Sequence, residues 1–374
     1  MGTPVLVDAI RTPFGKRRGA LSGIHAVELL GYVQRGIVER TGVDPALITD
    51  VVAGCVTQAG EQSGNAGRFA WLHAGLPEET ATTTIDAQCG SAQQAVHLIA
   101  AQIAAGLVDV GVACGVESMS RVPLLSNLGD AGRPRPESWQ VDLPAQYEAA
   151  DRIAARRGLT RADLDAFGLR SQQRARRAWD EGRFGRSILP VPLDGGQPFD
   201  RDQGLRDTST EALAGLAPIE EGGLHTAGTA SQISDGASAA LLVDADQTFG
   251  LRPRARLVAQ TIVGAEPKYL LDGPIRAAER VLGRAGMSIA DIDLFEVNEA
   301  FASVPLSFAR TLGVDEDRLN VNGGAIAIGH PVGATGIRLL AEIVDELERR
   351  DQTLGLVAIC AGGAQATAAI VERL

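Results

Sequence analysis

Apolar and polar positions alternate in two rhythms along the first third of the chain. Val5, Leu6 and Val7 form a short apolar run of strand type, whereas from His25 to Arg40 the apolar positions fall at Ala26, Leu29, Leu30, Val33 and Ile37, the three-and-four spacing of a helix with one buried face. The same reading predicts a strand over Asp50 to Val56, a helix over Gly67 to Ala74 and a strand leading into Cys89. An Ala-rich helix over Ser91 to Ala105 and a strand over Val108 to Cys114 follow. Strands separated by helices imply an α/β fold with a largely parallel sheet covered on both faces.

From about Glu117 to Glu221 that rhythm breaks. Pro-rich turns (Arg133-Pro134-Arg135-Pro136) lead into an Arg-dense helical region from Ala149 to Gly185 and a polar stretch from Asp200 to Thr210. A loop this long inside a compact domain reads as a functional insertion or lid. Its arginines, among them Arg152, Arg156, Arg157, Arg174, Arg176 and Arg177, are either a solvated helix face or, as a group, a landing site for ligand phosphates.

After Ala237 the alternation resumes and the chain repeats itself. Val43 to Val52 and Met287 to Phe295 each follow an amphipathic helix, and each is a helix exit at Gly, a short polar turn, an Asp and a buried strand. Asp109 to Gly115 is echoed by Leu354 to Gly362. The simplest account is an internal duplication, two β/α halves facing one another.

Composition narrows the chemistry. The 374 residues are enough for two α/β domains or one duplicated domain, and 44 glycines against 4% aromatics suit closely packed helices and backbone that comes near a ligand. A net charge of −11 argues against a general nucleic-acid binder, so a polyanionic ligand needs a local basic patch. Four cysteines without CxxC spacing suggest neither a disulfide framework nor a zinc site, and fit a reducing cytoplasm. The chain begins on a strand rather than a leader, and no apolar run approaches the roughly 18 residues that span a bilayer. The expectation is a cytoplasmic protein with no metal and no membrane or nucleic-acid partner.

Cys89 is the first candidate for covalent chemistry. It lies where a strand ends and small residues open a helix, and the positive end of a helix dipole favours thiolate over thiol; packing as an inert core cysteine is the alternative. Far downstream, Asn320 to Gly336 presents His330 between Gly329 and Pro331 in a glycine-lined loop after a strand, a setting suited to a general base or oxyanion donor. Cys360 closes a strand ahead of Ala361-Gly362-Gly363. Asn298 adds an amide at another strand end, where α/β sheets present ligands.

At these residues the sequence resembles the thiolases. GVESMSR around Glu117, DAFGLRSQQRARRAWDEGRF from Asp165, TAGTASQISDGASA from Thr226, NEAF from Asn298, GGAIAIGHPVGATG from Gly323 and CAGGA from Cys360 carry the likeness over nearly the whole chain. It is greatest to degradative 3-ketoacyl-CoA thiolases, and FDRDQGLRDT from Phe199, SWQVDLPAQ and CAGGA look like the actinobacterial branch that shortens sterol side chains. The resemblance implies two similar βαβαβαββ halves in a five-layered α/β/α/β/α arrangement. Residues 1–116 and 222–248 would form the N-terminal half and 249–374 the C-terminal half, with 117–221 a loop domain over coenzyme A. A homodimer or homotetramer is implied too. Ala92, Thr229 and Ala364 depart from the residues most members carry there, which narrows backbone freedom near the acyl pocket.

The resemblance also assigns roles. Cys89, activated by His330, would attack C3 of a 3-ketoacyl-CoA and keep the shortened acyl group as a thioester. Cys360, with an ordinary thiol pKa near ~8.5, would protonate the departing acetyl-CoA enolate and later deprotonate the incoming coenzyme A. His330 and an Asn298-held water would polarise the acetyl thioester oxygen, and the N–H groups of Cys89 and Gly362 would form a second oxyanion hole. Coenzyme A is co-substrate, with no permanently bound cofactor. Its contacts would be Ser231 at the pantetheine, Gln146, Arg206 and Thr208 nearer the nucleotide, and Ala300 and Phe301 of NEAF. The same residues could run the reverse Claisen condensation, and a non-catalytic coenzyme A-binding scaffold is a third reading; the complete Cys89, Asn298, His330 and Cys360 set speaks against the last.

Overall fold

The computed structural model describes residues 2–130 and 132–374. The chain opens with β1 (Pro4–Arg11) and the two-residue β2 (Gly15–Lys16), then α1 (Ala26–Thr41), β3 (Asp50–Gly54), α2 (Ala66–His73), β4 (Ala81–Ile85), α3 (Ser91–Ala104) and β5 (Val110–Ser118). The insertion carries α4 (Gln146–Arg156), α5 (Arg161–Asp180) and α6 (Thr210–Ala214). β6 (Ser234–Asp244), β7 (Ala255–Gly264), α7 (Gly273–Ala285), β8 (Leu294–Val297), α8 (Ser303–Leu312), α9 (Ala325–Ile328), α10 (Thr335–Arg350), β9 (Leu354–Ala361) and β10 (Gln365–Arg373) complete it.

The repeat read in the sequence is a repeat of structure. α1 ends on Gly42 at φ +70° and α7 on Gly286 at φ +66°, the left-handed conformation that glycine takes without a Cβ clash. Each exit passes through a 3-10 turn, Pro45–Leu47 or Ile289–Asp291, into β3 or β8. β3 then runs parallel to β5 as β8 runs parallel to β9.

The sheet order is β4-β3-β5-β6-β1-β7-β10-β9-β8, and it is mixed rather than largely parallel. Strands joined by helical crossovers are parallel, as expected. β10 returns directly from β9 through the turn at Gly362 and Gly363, so it can pair only antiparallel, and β6 pairs antiparallel with both β5 and β1. The two halves' sheets join where Val5 and Leu6 of β1 face Arg256 and Ala255 of β7.

Period-two alternation along the strands sorts the core into layers. Leu6, Val52, Ala113 and Leu242 from one half and Val357 and Ile359 from the other pack with Val96, Ile99 and Ile103 of α3 and Ile337, Leu340 and Ile343 of α10. Their strand neighbours Val5, Val51, Val112 and Leu241 face α1 and α2, whereas Leu356, Ala358 and Ile370 face α7 and α8. The outcome is helix, sheet, paired central helices, sheet, helix. The N-termini of α3 and α10, in the middle layer, follow Cys89 and His330.

The insertion begins after β5, whose last residues are Glu117 and Ser118, and it is clamped by charge. Arg11, fully buried at the end of β1, makes a bidentate pair with Asp202 (2.7 and 3.0 Å), which also accepts from Phe14 N. The arginines read as a phosphate landing site are mostly spent in such fastening. Arg152 pairs with Asp142, Arg156 with Glu266, Arg157 with Asp272, Arg174 with Asp317 and Arg176 with Asp207. Arg206 differs: its side chain is exposed and, among the described residues, reaches only Ala227 O, at 3.4 Å.

Candidate active site

β4 ends at Ile85, and a tight turn brings Cys89 to the mouth of α3. Asp86 Oδ1 accepts from Gln88 N (2.7 Å), while Ser91 Oγ accepts from Ala87 N (2.9 Å) and donates to Gln88 O (2.6 Å). Gln88 is held at φ +53°, a strained conformation for a residue with a side chain and one that recurs at functional sites. Its side chain lies over Gly362, where an added methyl would stand 2.6 Å from Gln88 Oε1. Cys89 is thereby buried, with its own N–H and that of Gly362 stabilising charge on its sulfur.

The helix terminus does not give Cys89 the low pKa expected of it. Burial, reinforced by the nearby Glu117 carboxylate, outweighs the two N–H groups and pushes the thiol up to about 12. Cys360 departs likewise from its expected ordinary value: burial, and then the proximity of Cys89, raises it well above the usual thiol range. Burial thus favours the neutral thiol at both positions. Glu117 is itself enclosed, accepting from Val56 N, Thr57 N and Gln62 Nε2, with burial raising its pKa.

His330 follows the single turn of α9 rather than a strand. It is buried, and its backbone N donates to Gln232 O (3.2 Å) and Ser234 Oγ (3.1 Å). Its Nδ1 lies 2.7 Å from Thr335 Oγ1, and its Nε2 3.3 Å from Asn298 Nδ2. The Thr335 hydroxyl gives its proton to Pro331 O (2.8 Å), so toward His330 it can only accept. Nδ1 therefore carries the imidazole proton and Nε2 is the free base. Burial, with the charge of Arg338, holds the ring down to about 3, which keeps it neutral at physiological pH.

Asn298 lies just past β8, where its N–H donates to Ala358 O (3.0 Å) and sets it beside β9, the strand that carries Cys360. The structure joins the sequence-derived set in two groups: Cys89 from the first half meets the Gly362 N–H and lies near Cys360 from the second, while His330 meets Asn298, whose backbone is tied to Ala358, two residues before Cys360. Ser231 is joined to the same region by Ser231 N to Ala300 O (2.9 Å), and the Phe301 ring lies edge-on to Tyr147, 4.9 Å between centroids, at the start of α4. Gln146, Arg206 and Thr208 lie on the insertion, outside this cluster. Ala364 sits at φ +59°, so the departure noted there carries backbone strain. Thr335 is the functional residue that sequence reasoning passed over; a hydroxyl opening the helix after His330 was its only signal. Among the described residues no His, Cys, Asp and Glu cluster could hold a metal ion, and no helix is long and apolar enough to cross a membrane.

Comparison with known proteins bears on this geometry. Residues 4–246 match the family model for the thiolase N-terminal domain, and residues 251–373 that for the thiolase C-terminal domain. The chain is 44% identical over 382 residues to steroid 3-ketoacyl-CoA thiolase FadA6 of Mycobacterium tuberculosis, covering 99% of this chain and 94% of that one. It is 41% identical to an acetyl-CoA acetyltransferase of Chromobacterium violaceum, over 98% of this chain and 99% of the relative. Human mitochondrial 3-ketoacyl-CoA thiolase superposes with a TM-score of 0.92 at 33% identity, covering 100% of this chain and 99% of that one. The chain belongs to the thiolase family and is an acyltransferase.

Proposed function

We propose that the chain cleaves 3-ketoacyl-CoA through an acyl-Cys89 intermediate, releasing acetyl-CoA or propionyl-CoA, in the β-oxidation of fatty-acyl or sterol side chains. The observation that carries this is the meeting of Cys89 with the Gly362 N–H and the Cys360 thiol across the two halves. His330 Nε2 takes the Cys89 proton as sulfur attacks C3, so the thiolate forms only in the act of attack. The C3 oxyanion is received by the N–H groups of Cys89 and Gly362. Collapse breaks the C2–C3 bond. His330, now carrying a proton on Nε2, donates with an Asn298-held water to the enolate oxygen while Cys360 protonates C2. Cys360 then takes the proton of the incoming coenzyme A thiol, which attacks the acyl-Cys89, and His330 returns its proton to Cys89.

The same reading makes 117–221 the cover of the coenzyme, between an N-terminal half of 1–116 and 222–248 and a C-terminal half of 249–374. Ser231 meets the pantetheine, Gln146, Arg206 and Thr208 lie nearer the nucleotide, and Ala300 and Phe301 are further coenzyme contacts. Arg206 is favoured because its cation is not already spent on a carboxylate. A sterol-type acyl group is supported by the 44% identity to the M. tuberculosis steroid enzyme. A homodimer or homotetramer is supported by β4, an edge strand of sequence ATTTI that carries neither charge nor proline to block pairing with a second copy. Four unpaired thiols favour a cytoplasmic setting.

The test is covalent. Iodoacetamide should alkylate Cys89 in preference to Cys55 and Cys114, and an acyl-CoA should block it. Mass spectrometry of Cys89→Ala with acyl-CoA should show no acyl-enzyme; a stable adduct at another cysteine would transfer the nucleophile's role. Turnover across short, long and sterol-bearing 3-ketoacyl-CoA substrates identifies the acyl group.

A further inference from the structure

His330 stands two residues beyond α9, a helix of four residues. A single turn has no stability of its own, because the cost of nucleation exceeds what its own bonds return. What places α9, and with it the catalytic histidine, must come from outside the turn.

Two side-chain amides supply much of that support, and both reach the segment of the insertion at Gly204 to Arg206. Gln172, buried on α5, donates from Nε2 to Ile326 O (3.3 Å) and accepts at Oε1 from Arg206 N (3.0 Å). Gln232 donates from Nε2 to Ile326 O (2.9 Å) and to Gly204 O (2.8 Å), and its own backbone carbonyl accepts from His330 N (3.2 Å). The segment also lies flush on the turn: Leu205 packs on Ala327 and Ile328, and a methyl at Gly204 would stand 2.5 Å from Ala327 O. Each amide uses one end or one proton on α9 and another on the insertion. A leucine of similar volume would lose both.

We propose that Gln172 and Gln232 are positioning residues that carry coenzyme binding from the Arg206 segment to His330. When the nucleotide end of the coenzyme seats against Arg206, the segment from Gly204 to Arg206 is fixed, and through the two amides so is the turn that presents the base. Binding energy from a part of the substrate remote from the reacting carbon is thereby expressed in kcat rather than in KM alone. The proposal rests on the reading of Arg206 as a coenzyme contact.

The experiment compares a 3-ketoacyl-CoA with coenzyme A against the matching N-acetylcysteamine thioester with N-acetylcysteamine, which lack the nucleotide. Wild-type enzyme should show a higher kcat with the full coenzyme. Gln172→Leu should lower that kcat on the order of 10-fold, the cost of a buried hydrogen bond lost, and leave kcat for the truncated pair within about twofold. Gln232→Leu should behave alike, and thermal melting of both variants screens for misfolding. Equal losses on the two substrate pairs would make these residues merely structural and overturn the proposal, as would no loss on either or no wild-type advantage for the full coenzyme. Arg206→Ala separates the underlying reading: it should lower kcat and raise KM for the coenzyme A pair and leave both unchanged for the N-acetylcysteamine pair. If neither changes for the coenzyme A pair, Arg206 is not a contact, and the Gln172 comparison judges the coupling by itself.

Discussion

Replacing Thr335 with valine tests the protonation logic of the site at a fully buried residue. Valine keeps the volume and deletes Oγ1, the atom 2.7 Å from His330 Nδ1. The Nδ1 proton is then left without its acceptor on a ring that is only 4% exposed. Stranding a buried donor costs about 1–3 kcal/mol, a factor of about 5 to 150 in rate if paid in the base-competent state. The ring's escape is to move the proton to Nε2, but there Asn298 Nδ2 already donates, and a protonated Nε2 cannot take the Cys89 proton. Thiolysis by Thr335→Val should therefore fall in kcat/KM by that factor, while Thr335→Ser, which keeps the hydroxyl, stays within a few-fold of wild type. Nitrogen NMR of the imidazole should report the Nδ1–H tautomer in wild type and its loss in the valine variant. Wild-type turnover by Thr335→Val, or equal damage from serine and valine, would refute the assignment.

Cys360→Ala should still accept an acyl group onto Cys89 from an activated acyl-CoA yet lose thiolytic turnover, since both the enolate and the coenzyme thiol exchange protons there; retained turnover would pass that role to His330 or water. Asp202→Ala should lower the unfolding free energy by about 3–5 kcal/mol in urea titration, because it leaves buried Arg11 without its bidentate partner; a loss below about 1 kcal/mol would refute the clamp. His97, on α3, is held down to about 3 by burial against an ordinary 6.5. The unfolded chain therefore binds a proton below 6.5 that the fold refuses until about 3, and stability drains away as pH falls through that window. His97→Gln should lose less stability than wild type between neutral and mildly acidic pH, and an unchanged pH slope would count against it.

Much of the architecture is written in local pattern. The three-and-four spacing of α1, the glycine exits at Gly42 and Gly286 and the two matching turn-and-strand units are short-range features, set by helix geometry and by the conformations glycine alone takes easily, so the duplication is visible without coordinates. Cys89, Asn298, His330 and Cys360 were legible for a related reason: each ends an element or sits in a glycine-lined loop, where a side chain or a bare N–H can reach a ligand. Strand direction was only half legible, because helical crossovers announce parallel pairing while the partner of a strand such as β6 depends on where the insertion returns. The charge states of the thiols and the imidazole could not be read at all. A helix terminus argues for a low thiol pKa, but burial and the Glu117 carboxylate, 28 residues away in the chain, decide the balance the other way. The same holds for the insertion's arginines, whose acidic partners at Glu266, Asp272 and Asp317 lie in the opposite half. Sequence determines which groups are available and which local conformation presents them; their ionisation and their partners depend on desolvation and on distances across the fold, which only tertiary packing decides.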